Sequence, residues 1–238
     1  MRQGRAAGDV LMTEQPATDN PTTDGRALAA WEIVSVVCSV VVAEWVVLAL
    51  AGDSQLMLAV PVVVVLAFMF ASHRVRGESA RDVGWRLDNF GEAARLLLLL
   101  CGPPAALLLL GGWLTGQLEL LRWGGGQSVL GAPALGVLWG LLQQYALQGF
   151  INRRAQAVWG RGWKSVLVVA LVFGALHLPN PALTVATFAG GLLWAYVYQR
   201  APNLLALGLS HGLLTWALIA SVPPHWLNNL RVGFKYFG

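Results

Sequence analysis

An all-α, polytopic membrane bundle of about seven transmembrane helices is the fold class this sequence predicts, and three observations carry it. Of the 238 residues, 56% are hydrophobic and only 12% charged, whereas a soluble domain is about a quarter charged. The apolar residues fall into long runs, not the stripes of an amphipathic soluble helix. Lys and Arg gather in short segments between those runs, mostly in alternate connections, as lipid orientation requires.

Spanning about 30 Å of hydrocarbon takes roughly 20 residues of helix. Runs near 28–51, 55–72, 92–115, 129–152, 163–178, 181–199 and 203–221 are read as the spans. Ahead of them, residues 1–26 are polar, rich in Thr, Asp and Pro, and lack an apolar signal core. They are expected to form a disordered tail, with Met12 as an alternative start, and residues 27–238 to form the bundle. The turn after the first span, Gly52-Asp53-Ser54-Gln55, holds no basic residue, while the segment after the second holds Arg74, Arg76, Arg81, Arg86 and Arg95. Arg153, Arg154, Arg161 and Lys164 follow the fourth span and Arg200 the sixth, so the expected placement is a multi-pass cell-membrane protein with a cytoplasmic N-terminus. Arg231 and Lys235 in the C-terminal tail run against that scheme. Asp82 to Arg95 alternates apolar and charged residues at roughly helical spacing and is expected to be an amphipathic helix on the inner leaflet. Pro179 and Pro181 break two rather short spans.

The pI near 9.5 does not imply nucleic acid, because the basic residues flank apolar spans. Cys38 and Cys101 sit within apolar runs and form no CxxC framework. The eleven tryptophans fall mostly near span ends, as interfacial anchors do. Gly111-Gly112 and Gly124-Gly125-Gly126 are loop or close-packing glycines, since neither follows a strand and opens a helix as a phosphate loop would.

Polar side chains inside the spans are costly in lipid and so are the informative positions. Gln144, Gln148 and Asn152 follow at steps of four and share a helical face; His211 and Thr215 share another. His177 ends the fifth run. With the cytoplasmic edge near Asn152, Lys164 and Asn203, Gln143, His177 and His211 lie roughly 14, 20 and 12 Å deep at 1.5 Å per residue. Three helices can therefore bring polar groups to one buried pocket, or the same groups can act as interhelical glue. Glu44 is deep in the first span, where pairing or water access is its simplest explanation, and Glu32 lies near it. His73, in a basic loop, and His225, after Pro223-Pro224, are expected to be solvated.

The order of these motifs resembles the CAAX protease and bacteriocin-processing family, which contains the type II CAAX prenyl endopeptidases. That family carries EExxxR on one helix, FxxxH on the next and Hxxx(N/D) on a later one. Gln143-Gln144-Tyr145-Ala146-Leu147-Gln148 occupies the first motif, Phe173 to His177 matches the second, and His211 to Thr215 occupies the third. Asp82-Val83-Gly84-Trp85 and Pro202-Asn203-Leu204-Leu205-Ala206 also resemble stretches of that family, so the likeness covers roughly 80–220.

The resemblance implies an intramembrane endopeptidase acting on, or binding, a membrane-embedded or prenylated peptide. Its implied site residues are Gln143, Gln144, Gln148, His177, His211 and Thr215, with no cofactor or metal expected. In the family the paired glutamates and histidines activate water, and the last motif's Asn helps to stabilise the oxyanion. A glutamine amide cannot accept that proton and is a poor metal ligand. Both glutamates and the arginine are glutamine here, so opposite charges leave together and no unpaired charge is buried. Two readings follow: a divergent enzyme in which one neutral histidine is the base and the other polarises a carbonyl, or a pseudoprotease serving as a membrane binding or immunity protein. A two-histidine metal site lacks an obvious third ligand, and a transporter lacks matched broken spans.

Overall fold

The computed structural model describes residues 23–51, 54–122 and 131–238, and each of the seven apolar runs is helical there. Helix α1 (Thr23–Val42) continues through a π-helical stretch, Ala43–Val47, into Leu48–Ala51. Next come α2 (Gln55–Val75) and α3 (Phe90–Leu114). Helix α4 (Gly131–Gln144) passes into a second π-helical stretch, Tyr145–Asn152, and on to Arg153–Trp159. The bundle is completed by α5 (Trp163–Ala175), α6 (Pro181–Arg200) and α7 (Leu204–Ser221), and no strand occurs among the described residues. Thr23–Leu50, Phe90–Leu114, Pro181–Arg200 and Leu204–Ser221 are long and apolar enough to cross a membrane; Ala59–Val75 and Trp163–Ala175 are shorter apolar helices. Of the tail expected over 1–26, residues 1–22 lie outside the described residues, as do the glycines at 124–126, while residues 23–26 already form the first turn of α1.

Large apolar side chains cover the outside of the bundle; Leu98 is 73% exposed and Leu107 69%. Facing lipid rather than water, such a surface carries no desolvation cost, and the fold is an all-α membrane bundle. Inside lipid the helices must satisfy their own backbone groups, and the starts of α6 and α7 are capped by side chains. Asn180 accepts from Leu183 N (3.1 Å), with Pro181 at the first helical position, and Asn203 accepts from Ala206 N (2.9 Å).

The segment read as one amphipathic helix from Asp82 to Arg95 is not one. A single turn, Ala80–Val83, is stopped by Gly84 at φ +105°, and from Phe90 the chain already belongs to α3. Helical spacing misled because the charges on both sides of the break fall in one register, while the left-handed backbone at Gly84 forbids continuation. The break has a docking role. Leu204 N donates to Gly84 O (2.9 Å), Asn203 Nδ2 to Arg86 O (2.7 Å) and Tyr198 Oη to Val83 O (2.8 Å). The two family-like stretches around Val83 and Asn203 thus bind each other and fix the start of α7.

Helices α4 and α7 touch backbone to backbone. A Cβ on Gly208 would stand 2.9 Å from Leu141 Cα, and one on Gly212 3.0 Å from Val137 Cα. Association inside lipid relies on such small-residue contacts because no hydrophobic gain drives it. His211 sits between these two glycines and is thereby held against α4.

At the end of the bundle that carries Arg76 and Arg154, charges are buried in pairs. Arg154, 1% exposed, donates to Glu78 Oε1 (2.9 Å) and Oε2 (2.7 Å), to Glu32 Oε2 (3.1 Å) and to Ser72 Oγ (2.8 Å). Arg76 grips Glu32 through two nitrogens (3.2 and 2.7 Å), Arg153 grips Glu78 (2.9 and 2.7 Å), and Ser72 Oγ bonds Glu32. His73, expected in a solvated loop, is instead 5% exposed, with Nδ1 2.5 Å from Glu78 Oε2. The correction has a simple cause: α2 runs on to Val75, and the turn after it folds Glu78 back over His73. His225 is exposed.

Candidate functional site

A cavity of about 1410 Å³ opens between the helices, its walls mostly aliphatic and aromatic. Thr115, Gln117, Thr187, Ser221 and His225 contribute to its polar lining, and so do five further side chains: Glu44, Gln143, His177, His211 and Thr215. These last five come from the π-helical stretch after α1, from α4, from the turn after α5 and from α7. Glutamine 144 is not on the cavity wall. Fully buried, it stands behind His211, its Nε2 3.0 Å from His211 Nδ1. Gln148 is also fully buried and off the cavity, its Oε1 accepting from Asn152 Nδ2 (2.7 Å). Of the six residues singled out by motif, four therefore share the cavity, one supports a member of it, and one lies a turn behind that support.

The adjacent glutamines part company because neighbouring helical positions point about 100° apart. Gln143 faces the cavity and Gln144 the interior, and the π-helical stretch begins at the next residue. Insertions of this kind re-aim side chains and recur at functional sites. The other such stretch, Ala43–Val47, carries Glu44. Gly233 packs directly on Glu44, where an added Cβ would meet Glu44 O at 2.7 Å, and its N donates to Leu178 O (3.0 Å). One glycine therefore separates the Glu44 backbone from the carbonyl next to His177.

Aromatic rings hold both histidines. His211 stacks on Trp194, centroids 4.4 Å apart and planes 9° off parallel, and the Trp194 indole N–H donates to Ser210 Oγ (3.2 Å). Phe173 meets His177 edge-on at 4.9 Å and His211 at 5.9 Å. Nδ1 of His177 lies 2.8 Å from Phe173 O, one turn back, and must donate because a carbonyl only accepts. The free nitrogen of His177 is then the Nε2 lone pair, the form a base requires. FxxxH spacing thus has a local meaning: the Phe carbonyl sets the histidine's tautomer and its ring packs the histidine's edge.

Among the described residues no group of three or more His, Cys, Asp or Glu side chains could hold a metal ion, and no acidic side chain hydrogen-bonds His177 or His211. Motif spacing gave no sign of Trp194, which stacks on His211 from α6. Asn152 was visible as the third member of an i, i+4 series.

No curated protein and no solved structure matches the chain. Residues 125–217 match a family model described as type II CAAX prenyl endopeptidase, Rce1-like. That span holds all three motif positions, from Gln143 to Thr215, and so the part of the chain that carries His177 and His211 is similar to the Rce1-like type II CAAX prenyl endopeptidases.

Proposed function

We propose that this CAAX protease homologue draws a membrane-embedded or prenylated peptide into the cavity and presents one of its peptide bonds to His177 and His211. The observation that carries the reading is the cavity's make-up: a large apolar volume that suits a lipid tail, with Gln143, His177, His211 and Thr215 gathered on its wall. With Nδ1 committed to Phe173 O, His177 can accept a proton from water at Nε2, while the second imidazole polarises the carbonyl. Peptide enters from the bilayer, and no nucleic acid is involved.

The test uses purified protein in lipid nanodiscs with a farnesylated peptide. Hydrolysis is expected, falling about 10²- to 10⁴-fold in His177→Ala. A second reading, the pseudoprotease, is favoured by the lack, among the described residues, of any carboxylate bonded to His177 or His211. It predicts saturable photo-crosslinking of the same peptide with no cleavage, and crosslinking that survives His177→Ala. If the peptide neither crosslinks nor is cut, both readings fail.

An N-terminus on the cytoplasmic side belongs to the same proposal. It is supported by the joining of Arg76 and Arg154 to Glu32 of α1 at one end of the bundle. Cysteine labelling at Arg26→Cys in intact cells tests it; labelling by an impermeant reagent from outside refutes it.

A further inference from the structure

Behind His211 the polar groups are amides rather than acids, and amides have a direction. Gln199 Oε1 accepts from the backbone N–H of Gly162 (2.9 Å), which makes the other end of Gln199 the donor. That Nε2 donates to Ser165 Oγ (2.8 Å) and to Asn152 Oδ1 (3.1 Å). Asn152 therefore has its oxygen toward Gln199 and its Nδ2 on the far side, where it donates to the backbone carbonyl of Ala195 (3.3 Å) and to Gln148 Oε1 (2.7 Å). Two backbone groups, one donor and one acceptor, agree on how Asn152 is turned, so its orientation is not a free choice.

Gln148 inherits that direction. Its oxygen faces Asn152, and its Nε2 is a buried donor without a partner. One turn on, Gln144 Oε1 is a buried acceptor without a partner. The two orphans are complementary in kind, which is the arrangement expected if the ladder's polarity continues from Gln148 to Gln144. Gln144 then turns its amide N–H toward His211 Nδ1 (3.0 Å), and Nδ1 must accept.

We infer that the amide ladder Asn152–Gln148–Gln144 holds His211 in the Nε2–H tautomer, so that the cavity wall presents His211 as a ring donor beside His177 as a ring acceptor. A glutamate at position 144 would do the reverse: a carboxylate only accepts, so it would take the Nδ1 proton and leave Nε2 as a lone pair. Glutamine therefore does more than delete a base. It turns His211 from an acceptor into a donor, and a donor next to an acceptor matches the C=O and N–H of a peptide group. Gln144, Gln148 and Asn152 are positioning residues in this scheme, since none lines the cavity. The ligand class rests on the proposed function; the tautomer does not, and it is measured without ligand.

The experiment is ¹⁵N NMR of ring-labelled histidine in the full-length protein in nanodiscs at neutral pH, with His211 assigned from the signals missing in His211→Asn. Nε2 of His211 is expected to be pyrrole-like and Nδ1 pyridine-like, with His177 showing the opposite pattern. In Gln144→Glu the His211 pattern should invert, and in Gln148→Leu it should become a mixture. A wild-type spectrum with His211 protonated at Nδ1 overturns the inference, as does a pattern that ignores both substitutions. The wild-type spectrum decides by itself should Gln144→Glu fail to fold. A failed peptide-binding assay leaves this result untouched, and the two conclusions are separately refutable.

Discussion

Arg154 and Gln144 stand on one continuous helix, about 15 Å apart along its axis, and both are sealed from solvent, at 1% and 0% exposure. Their surroundings differ in kind. Around Arg154 every charge has an opposite charge within hydrogen-bond reach, and Glu32 and Glu78 are each held by two arginines. Gln144, by contrast, meets no charged side chain: its Nε2 reaches His211, and one turn on stand the amides of Gln148 and Asn152. Burial penalises both solutions, but a paired charge tolerates it only while all partners are present, whereas a neutral amide loses at most a hydrogen bond. The charged cluster also ties α1 and α2 to the segment after α4, while the neutral one leaves the cavity wall free to meet a ligand without a counter-ion.

The largest effect should come from breaking the charged cluster. Arg154→Met takes from Glu32 and from Glu78 one of the two arginines that hold each, leaving Arg76 and Arg153 in place, and is expected to cost about 3 kcal/mol, read as a lower midpoint for unfolding in mixed detergent. A change under about 1 kcal/mol would mean that water already solvates these carboxylates, and the contrast with Gln144 would dissolve. Charging the neutral cluster is the mirror test. Gln144→Glu and Gln148→Arg should each destabilise singly, and the double variant, which rebuilds an acid and base one turn apart, should recover about 0.5–3 kcal/mol of the summed loss. Strict additivity of the two would show that they do not face one another.

Packing sharpens the comparison from another side. Gly208→Ala forces a methyl to 2.9 Å from Leu141 Cα, an overpacking cost of about 1–3 kcal/mol. Because His211 lies one turn on along α7, peptide binding should fall with it, while the Arg154 cluster, 13 positions beyond Leu141, keeps its pH behaviour. That behaviour has a definite sign. Burial pushes the Glu78 carboxyl up, but hydrogen bonds from His73, Arg154 and Arg153 outweigh it and hold the group well below the usual carboxylate range. A depressed folded value stabilises above the unfolded value of roughly 4.3 and is lost as pH falls below it toward the folded value. Unfolding midpoints should thus drop between about pH 5 and 3, less so in Glu78→Gln, and Glu78 adds no slope from pH 6 to 8.

How much of this was readable beforehand depended on whether partners are near in sequence. A helix at each of the seven apolar runs was readable, among the described residues, because the runs are apolar and bounded by polar or Pro breaks, and the shared face of Gln144, Gln148 and Asn152 followed from steps of four. Spacing could not say which face looks inward, so Gln143 and Gln144 were grouped although only Gln143 reaches the cavity. Arg154 and Glu32, 122 positions apart, left no local signal of pairing. His73 was misread as solvated for the same reason, since nothing in a run of arginines shows that Glu78 returns over it. Trp194 met His211 through the fold alone, and the left-handed Gly84 broke what a helical period had joined.

The smallest predicted effect tests whether the two clusters are independent. Ser79 Oγ accepts from Asp82 N (3.2 Å) while Asp82 Oδ2 accepts from Ser79 N (2.9 Å), a reciprocal cap on the turn Ala80–Val83. From that turn Asp82 O accepts from Arg153 (2.6 Å) and Val83 O from Tyr198 (2.8 Å), so the cap reaches the charged cluster through Arg153 and α6 through Tyr198. Ser79→Ala is expected to cost about 1 kcal/mol in unfolding measurements. It touches nothing in the amide ladder, and the His211 ring-nitrogen pattern should not move. A shifted pattern would show that the turn, the charged cluster and the cavity wall respond as one unit, and the division between a charged and a neutral cluster would have to be given up.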